Sequence, residues 1–238
     1  TIITYLLKQK IPDLQAFVVS VGDTGKKDDS YYARMASKEI GVPLHEVIID
    51  EEWVNDNMSE AVYAVEDYTW TQVSPAVAQL ALSKRIRDEG FKVVFGGEGS
   101  DELFASYGHV FAWNYKDKDY IKERYKLVVN LHKNNLIRTN KAMMYGGTVE
   151  LRTPFLHKDL VEFCLRIPPK YKEDGPMWKP MLRKAFAGKI SNELLFRPKK
   201  TFQDGCHTIY LKNHKERIKE SYLSHYEQRN PLESFLAQ

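Results

Sequence analysis

Short apolar runs alternate with amphipathic segments along the first part of this chain. The runs are rich in β-branched and aromatic residues, which is typical of buried strands, and they lie at 16–21, 44–49 and 91–95. Between them, apolar residues recur at the spacing of a helix face, over 1–10, 28–41, 53–65 and 74–88. Strands that alternate with helices predict an α/β fold, in which a parallel sheet carries helices on both faces.

The pattern changes after residue 105. Helical spacing continues over 121–132, 136–145 and 160–166, and prolines divide the remaining sequence into short pieces. No further strand is predicted. We therefore expect two regions, an α/β core over residues 1–105 and a helical portion over residues 106–238 that packs on it.

The third predicted strand ends in a turn that is rich in glycine and in acids: Gly96, Gly97, Glu98, Gly99, Asp101 and Glu102. Glycine lets the backbone bend sharply and lie close to a ligand. Three carboxylates in one tight turn repel each other, and a bound cation would offset that repulsion. Because open α/β sheets bind ligands at the carboxyl ends of their strands, this turn is a candidate nucleotide and metal site. A purely structural turn is the alternative.

Composition limits the class of partner. The chain has 238 residues, of which 43% are hydrophobic and 28% are charged, as in an ordinary globular protein. Its formal net charge of +3 does not indicate a nucleic-acid partner. Basic residues cluster over 116–133 and 183–200, which suits contacts with phosphate groups, although solvated helix faces give the same pattern.

Cysteine usage and hydropathy indicate the compartment. Cys164 and Cys206 are too few for a disulfide scaffold and lack the spacing of zinc ligands. No apolar run is long enough for a membrane helix, and no signal peptide is recognised at the start of the sequence. These features predict a cytoplasmic protein with reduced thiols and no membrane partner.

Four further stretches combine charged residues with proline, threonine or asparagine, at 138–143, 149–156, 179–183 and 197–205. Together with the turn at 97–102, they have the order and the approximate spacing of motifs in the synthetase domain of asparagine synthetases. The chain resembles that family from its first residue to about Gly205. Five motifs in register make the resemblance specific, whereas one motif alone would be weak.

The resemblance implies an ATP-dependent amide-forming ligase that uses Mg²⁺. In that family a carboxylate, usually that of aspartate, attacks the α-phosphate of ATP and gives an acyl-adenylate and pyrophosphate. Ammonia then displaces AMP. Residues 1–105 would accordingly form a nucleotide-binding core of the adenine nucleotide alpha-hydrolase-like fold, and residues 106–238 would lie on the substrate side.

Five residues match positions that contact the nucleotide in the family: Val21, Gly96, Gly97, Ser100 and Lys199. The resemblance implies that the backbone of Val21 contacts the adenine and that Lys199 contacts the pyrophosphate. The glycine pair and Ser100 would lie beside the nucleotide. Asp101 matches a magnesium ligand, and a carboxylate oxygen is a ligand that Mg²⁺ prefers.

Three residues match the catalytic positions of the family. Glu98 would face the acyl-adenylate and accept a proton from the amine nucleophile. Lys179 would stabilise the negative charge that develops during both steps. Glu150 would be a second acid of the same chamber, close enough to Lys179 to orient it. The alternatives are an ion pair of Glu150 with Arg152 and a surface position for Lys179.

The chain also departs from the family pattern. The phosphate-binding loop and its strand would precede the first residue of the sequence, so we expect a gap in the core of the sheet. No glutamine-hydrolysing domain is recognised, so ammonia would come free or from a separate glutaminase subunit. Thr71–Pro75 replaces a motif that contains arginine in the family, and His157 stands where aspartate is usual. These two changes leave the identity of the carboxylate substrate open.

Two other functions remain open from the sequence. One is another amide synthetase of the same superfamily, of the beta-lactam synthetase kind, although tyrosine takes the position of Glu98 there. The other is a nucleotide-binding subunit without catalytic activity. A homodimer is compatible with each of these functions.

Overall fold

The computed structural model describes residues 1–22, 25, 27–106, 118–172 and 177–229. The first half contains α1 (Ile2–Lys8), β1 (Ala16–Val21), α2 (Asp29–Ile40), β2 (Leu44–Ile49), α3 (Glu51–Val65), α4 (Trp70–Asp88) and β3 (Val93–Phe95). These elements are followed by α5 (Ser100–Leu103), α6 (Lys118–Leu131), α7 (Ile137–Gly147), β4 (Glu150–Arg152), α8 (Lys158–Arg166), α9 (Pro180–Ala185), α10 (Asn192–Leu195), α11 (Phe202–Gly205) and α12 (Lys215–Arg229). A π-helical turn, His132–Leu136, joins α6 to α7, so the two helices predicted at 121–132 and 136–145 form one continuous run.

The strands pair in parallel. β1 pairs with β2, with Ala16 opposite Leu44, and β3 pairs with β4, with Val93 opposite Glu150. The described strands therefore form two two-stranded sheets. The α/β fold class with parallel strands, predicted from the alternation of apolar runs and helices, is confirmed.

β4 corrects one expectation, since the sequence pattern predicts no strand after residue 105. Thr148, in a left-handed conformation with φ 52°, ends α7 and turns the chain toward β3. The amide of Glu150 then donates to the carbonyl of Lys92 at 2.8 Å, and the amide of Gly96 donates to the carbonyl of Arg152 at 2.8 Å. A strand of three residues is too short to show a period, and its pairing with β3 defines it.

The largest hydrophobic cluster lies around α4. Val73, Val77 and Leu80 are fully buried where this helix packs against α3, α7 and the sheet of β1 and β2. The helix begins at Trp70, earlier than the predicted start at 74, and Pro75 lies inside it. Pro75 removes one backbone hydrogen bond, and the burial of the apolar residues around it offsets that loss.

Two further observations concern the cysteines and the helices. Cys164 and Cys206 are both free and buried. Across the described ranges, the helices are too short or too polar to span a bilayer.

Candidate active site

The glycine-rich turn after β3 forms one wall of the candidate site. Gly99, with φ 88°, has the left-handed conformation that glycine adopts without strain, and it directs the chain into α5. A Cβ on Gly99 would also collide with the side chain of Leu156, so the position has no room for a larger residue. Ser100 and Glu102 are buried at the start of α5. The turn therefore holds its polar side chains in fixed positions at the carboxyl end of β3.

Lys179 reaches this turn from the segment that leads into α9. It precedes Pro180 at the start of α9 and has φ 52°, a conformation that is costly for a residue with a side chain. Its backbone amide donates to the carbonyl of Ala105 at 3.2 Å. Its Nζ donates to Ser100 Oγ at 2.9 Å and lies 3.1 Å from Asp101 Oδ1. The strained backbone thus coincides with a side chain that contacts two predicted site residues.

Lys199 contacts the same carboxylate. Its Nζ donates to Asp101 Oδ1 at 2.8 Å, so one oxygen of Asp101 lies between two ammonium groups. Burial alone would raise the pKa of Asp101, but Lys179 and Lys199 together lower it to about 2. Burial lowers the pKa of Lys179, and Asp101 opposes that effect. The carboxylate is consequently ionised at neutral pH.

Glu98 lies on the other side of the turn. Its carboxylate folds back over Gly96 and occupies the space that a Cβ on that glycine would fill. Burial raises the pKa of Glu98, while its own backbone amide and the guanidinium of Arg138 act in the opposite direction. Its Oε2 is buried and has no hydrogen-bond partner within the described residues. A carboxyl group with a raised pKa and an unused oxygen can hold or accept a proton.

Two cavities adjoin the turn. The first, here called the Glu98 cavity, has a volume of about 530 Å³ and is also lined by Asp101, Arg138 and Lys199. The second, the Lys179 cavity, has a volume of about 340 Å³ and is lined by the nucleotide-site candidates Gly96, Gly97 and Ser100. Gly97 lines both cavities. Glu98 and Lys179 thus face adjoining cavities around one turn.

A third space, the interstrand cavity, lies between the two sheets. Its volume is about 370 Å³, and it is lined mainly by apolar residues of α1, β1, α4 and β3. Glu98 lines this cavity as well as the Glu98 cavity. The carboxylate therefore stands between an apolar space and a polar one.

Glu150 is not brought to this site, which corrects the expectation that it orients Lys179. Its side chain is exposed on β4, where its Oε1 accepts a hydrogen bond from Arg152 Nε at 2.8 Å. Glu150 pairs with Val93 at the start of the short ladder, whereas the site lies beyond the carboxyl end of β3. Among the contacts that the described residues make, the carboxylate beside the Lys179 ammonium is that of Asp101.

Val21 lies at the carboxyl end of β1 and is buried. Its amide donates to the carbonyl of Cys206 at 2.9 Å. The N–H of Val21 is thus already paired, and a contact of this residue with an adenine would have to use another atom.

Two arginines that line the Lys179 cavity, Arg183 and Arg197, lie in the stretches 179–183 and 197–205, but the sequence assigns no role to either. Arg183 donates to the carbonyl of Arg197 at 3.2 Å, and Arg197 pairs with Asp29 at 2.9 Å. Burial lowers the pKa of Arg183, and the charge of Arg197 acts in the same direction. Both residues belong to the basic cluster at 183–200, but charge clustering alone does not show which members face a cavity.

Asp101 fits a magnesium site in which a bound nucleotide supplies further ligands. Within the described ranges, no group of three or more histidine, cysteine or acidic side chains could hold a metal ion by itself. Mg²⁺ at nucleotides is commonly held by one or two carboxylates, with phosphate oxygens supplying further ligands. The ionised carboxylate of Asp101, beside cations suited to phosphate, matches that arrangement.

Comparison with known proteins assigns the family. The asparagine synthase family matches this chain over residues 1–126 and 112–237. This chain belongs to that family. The match covers the turn after β3 and the segments that carry Lys179 and Lys199.

Curated relatives agree with this assignment. The chain is 33% identical over 189 residues to asparagine synthetase [glutamine-hydrolyzing] 1 of Saccharomyces cerevisiae, which covers 74% of the chain and 33% of the relative. It is 30% identical over 207 residues to asparagine synthetase B [glutamine-hydrolyzing] of Escherichia coli, which covers 86% of the chain and 36% of the relative. The Bos taurus asparagine synthetase [glutamine-hydrolyzing] is 32% identical over 216 residues, which covers 89% and 37%. The matched region thus spans about a third of these relatives.

Proposed function

We propose that this chain is the synthetase portion of an ATP-dependent ligase that activates a carboxylate, that of aspartate, as an acyl-adenylate and then transfers ammonia to it. The observation that carries the proposal is the contact of Lys179 and Lys199 with Asp101 beside the glycine-rich turn. It brings two cations and an ionised carboxylate to the carboxyl end of a parallel strand, in a family whose curated relatives are named as asparagine synthetases.

The first step needs positive charge around the phosphates. When the substrate carboxylate attacks the α-phosphorus, negative charge increases on the nonbridging oxygens and on the leaving pyrophosphate. Lys179 and Lys199 would bind these oxygens, with Arg183 and Arg197 beside Lys179 at the wall of the Lys179 cavity. Mg²⁺, held by Asp101, would supply further charge stabilisation when bound.

The second step needs a proton acceptor. Ammonia that attacks the acyl carbon must lose a proton before the amide is complete. Glu98 has a buried oxygen without a partner in the described residues and lines the cavity beside the turn. It would accept that proton, and its raised pKa brings its basicity closer to the range that general-base catalysis requires.

The test is ATP–pyrophosphate exchange by the complete protein that carries this chain. We expect exchange that depends on Mg²⁺ and on a carboxylate substrate, with aspartate the best of a series that includes glutamate and succinate. Absence of exchange with every carboxylate would refute the ligase and favour a nucleotide-binding subunit. Exchange with another carboxylate but not with aspartate would retain the ligase and replace the substrate.

The nitrogen source is tested separately. Amide formation would be followed with ammonium chloride and with glutamine as alternative nitrogen donors. Activity with ammonium alone would indicate that glutamine hydrolysis, if it occurs, requires a separate glutaminase subunit.

The two free, buried cysteines support a cytoplasmic location for this reaction, since reduced thiols persist there.

A further inference from the structure

Gln79 is a buried polar residue that the motifs do not include. It lies on α4 and is only 5% exposed. Its Nε2 donates to Thr139 Oγ1 on α7 at 3.1 Å, which fixes the plane of the amide. Its Oε1 is buried and has no hydrogen-bond partner within the described part of the chain. A buried carbonyl oxygen without a partner is costly, so its retention in a core helix needs an explanation.

The position of Gln79 relative to Glu98 offers an explanation for this buried oxygen. Gln79 and Glu98 each line both the Glu98 cavity and the interstrand cavity, and Phe202 is the third residue of the described ranges that does so. Both polar side chains have an oxygen without a hydrogen-bond partner among the described residues. Two oxygens that can accept hydrogen bonds therefore belong to residues that line the same two cavities.

The chemistry of the Gln79 amide and the Glu98 carboxylate indicates which kind of ligand would bind beside them. An amide oxygen and a carboxylate can accept hydrogen bonds but repel another acceptor such as a carboxylate or phosphate oxygen. A nitrogen that carries several hydrogens satisfies both acceptors at once. Arg138 and Lys199, which line the same cavity, are suited to an anion, so a positively charged group and a negatively charged group of a ligand would bind at different places in the cavity.

We propose that Gln79 is a specificity-determining residue whose Oε1 accepts a hydrogen bond from an amine nitrogen, the incoming ammonia or the amino group of the substrate, bound between Gln79 and Glu98. This inference rests on the proposed ligase function. In the ammonia case, Gln79 holds one N–H while Glu98 receives the proton that is lost. In the substrate case, the same pair recognises the amino group of the amino acid before adenylation.

The experiment compares wild type with Gln79→Met in the complete protein. Methionine keeps the length of the side chain and removes both polar groups. If the nitrogen is ammonia, we expect the KM for ammonium to rise about 3- to 10-fold, the scale of one neutral hydrogen bond, while ATP–pyrophosphate exchange is unchanged. If it is the substrate amino group, the KM for aspartate in exchange should rise by that factor, and succinate, which lacks the amino group, should be unaffected.

Ser83→Ala is the matched control for loss of packing between α4 and α7. Ser83 is fully buried on α4 and donates to the carbonyl of Met143 on α7 at 2.7 Å, without lining any of the three cavities. We expect it to lower stability without altering either KM. If Gln79→Met changes only stability, as Ser83→Ala does, Gln79 is structural and the inference fails. Absence of ATP–pyrophosphate exchange in the wild-type protein would instead refute the proposed ligase function.

Discussion

The ammonium group of Lys179 lies 3.1 Å from the carboxylate of Asp101, although the two residues come from opposite halves of the chain. Burial disfavours the charged form of the lysine, and the carboxylate favours it. A charged lysine in this position can bind phosphate and acyl oxygens, whereas a neutral one cannot. The pair therefore links the predicted metal ligand to the predicted catalytic lysine through one contact.

Lys179→Met should greatly reduce amide formation without unfolding the protein. Methionine keeps much of the packing length and removes the charge, and the loss of a charge-stabilising group commonly reduces the rate by about 10²-fold or more. Steady-state kinetics and thermal unfolding would be measured together. Lys158→Met is the control, because the side chain of Lys158 is 83% exposed and lies on α8. Equal activity in the two variants would remove Lys179 from the mechanism.

Asp101→Asn should abolish Mg²⁺-dependent exchange and should also reduce stability in a pH-dependent manner. The pKa of Asp101 is about 2 in the folded protein against 3.8 for the free side chain, so its ionised form stabilises the fold above pH 3.8 by about 2 kcal/mol. That contribution is lost as pH falls through 2. Urea unfolding of wild type and variant at pH 7, 4 and 3 should show a difference that shrinks with acidification. A difference independent of pH would contradict the ion-pair assignment.

Glu98→Gln should change the stability of the protein with a pH dependence opposite to that of Asp101→Asn. The pKa of Glu98 is raised above 4.5, so the folded protein retains a proton that the unfolded chain has already released. Wild type therefore loses stability as pH rises from 4.5 through the folded pKa, and the neutral amide does not. We expect the variant to be more stable than wild type at pH 8 and to lose that advantage at pH 4, while amide formation falls.

The prediction for Glu98 is tested by the sign of the difference in stability between Glu98→Gln and wild type. Thermal unfolding at a series of pH values gives this sign without any substrate. The surface variant Glu162→Gln is a suitable comparison, since it makes the same chemical change at a side chain that is 48% exposed on α8. A variant at position 98 that is less stable than wild type at pH 8 would mean that the carboxylate is stabilised by groups other than those described.

Much of this site could be predicted from sequence because its residues lie in local motifs. The family resemblance indicates Asp101, Lys179 and Lys199 because each lies in a local motif, and the structure brings the three together at the turn after β3. The resemblance places Glu150 near Lys179, but the structure pairs its exposed side chain with Arg152 at the start of β4, and three residues give no strand signal that would predict this position. Gln79 carries no motif at all, because its importance comes from a cavity wall assembled by distant segments.

Gly96→Ala should displace the Glu98 carboxylate, and Gly97→Ala should not. A Cβ on Gly96 would collide with the Glu98 carboxylate and would lie 2.9 Å from Leu151 Cδ1, whereas a Cβ on Gly97 meets nothing within 4 Å. Both obstructing atoms are at the ends of flexible side chains, so we expect Gly96→Ala to fold with a loss of about 1–3 kcal/mol, the usual cost of overpacking. Because the carboxylate moves, the pH dependence of stability that Glu98 causes should change in Gly96→Ala and persist in Gly97→Ala. Identical pH profiles for the two variants would show that the space over Gly96 does not determine where Glu98 lies.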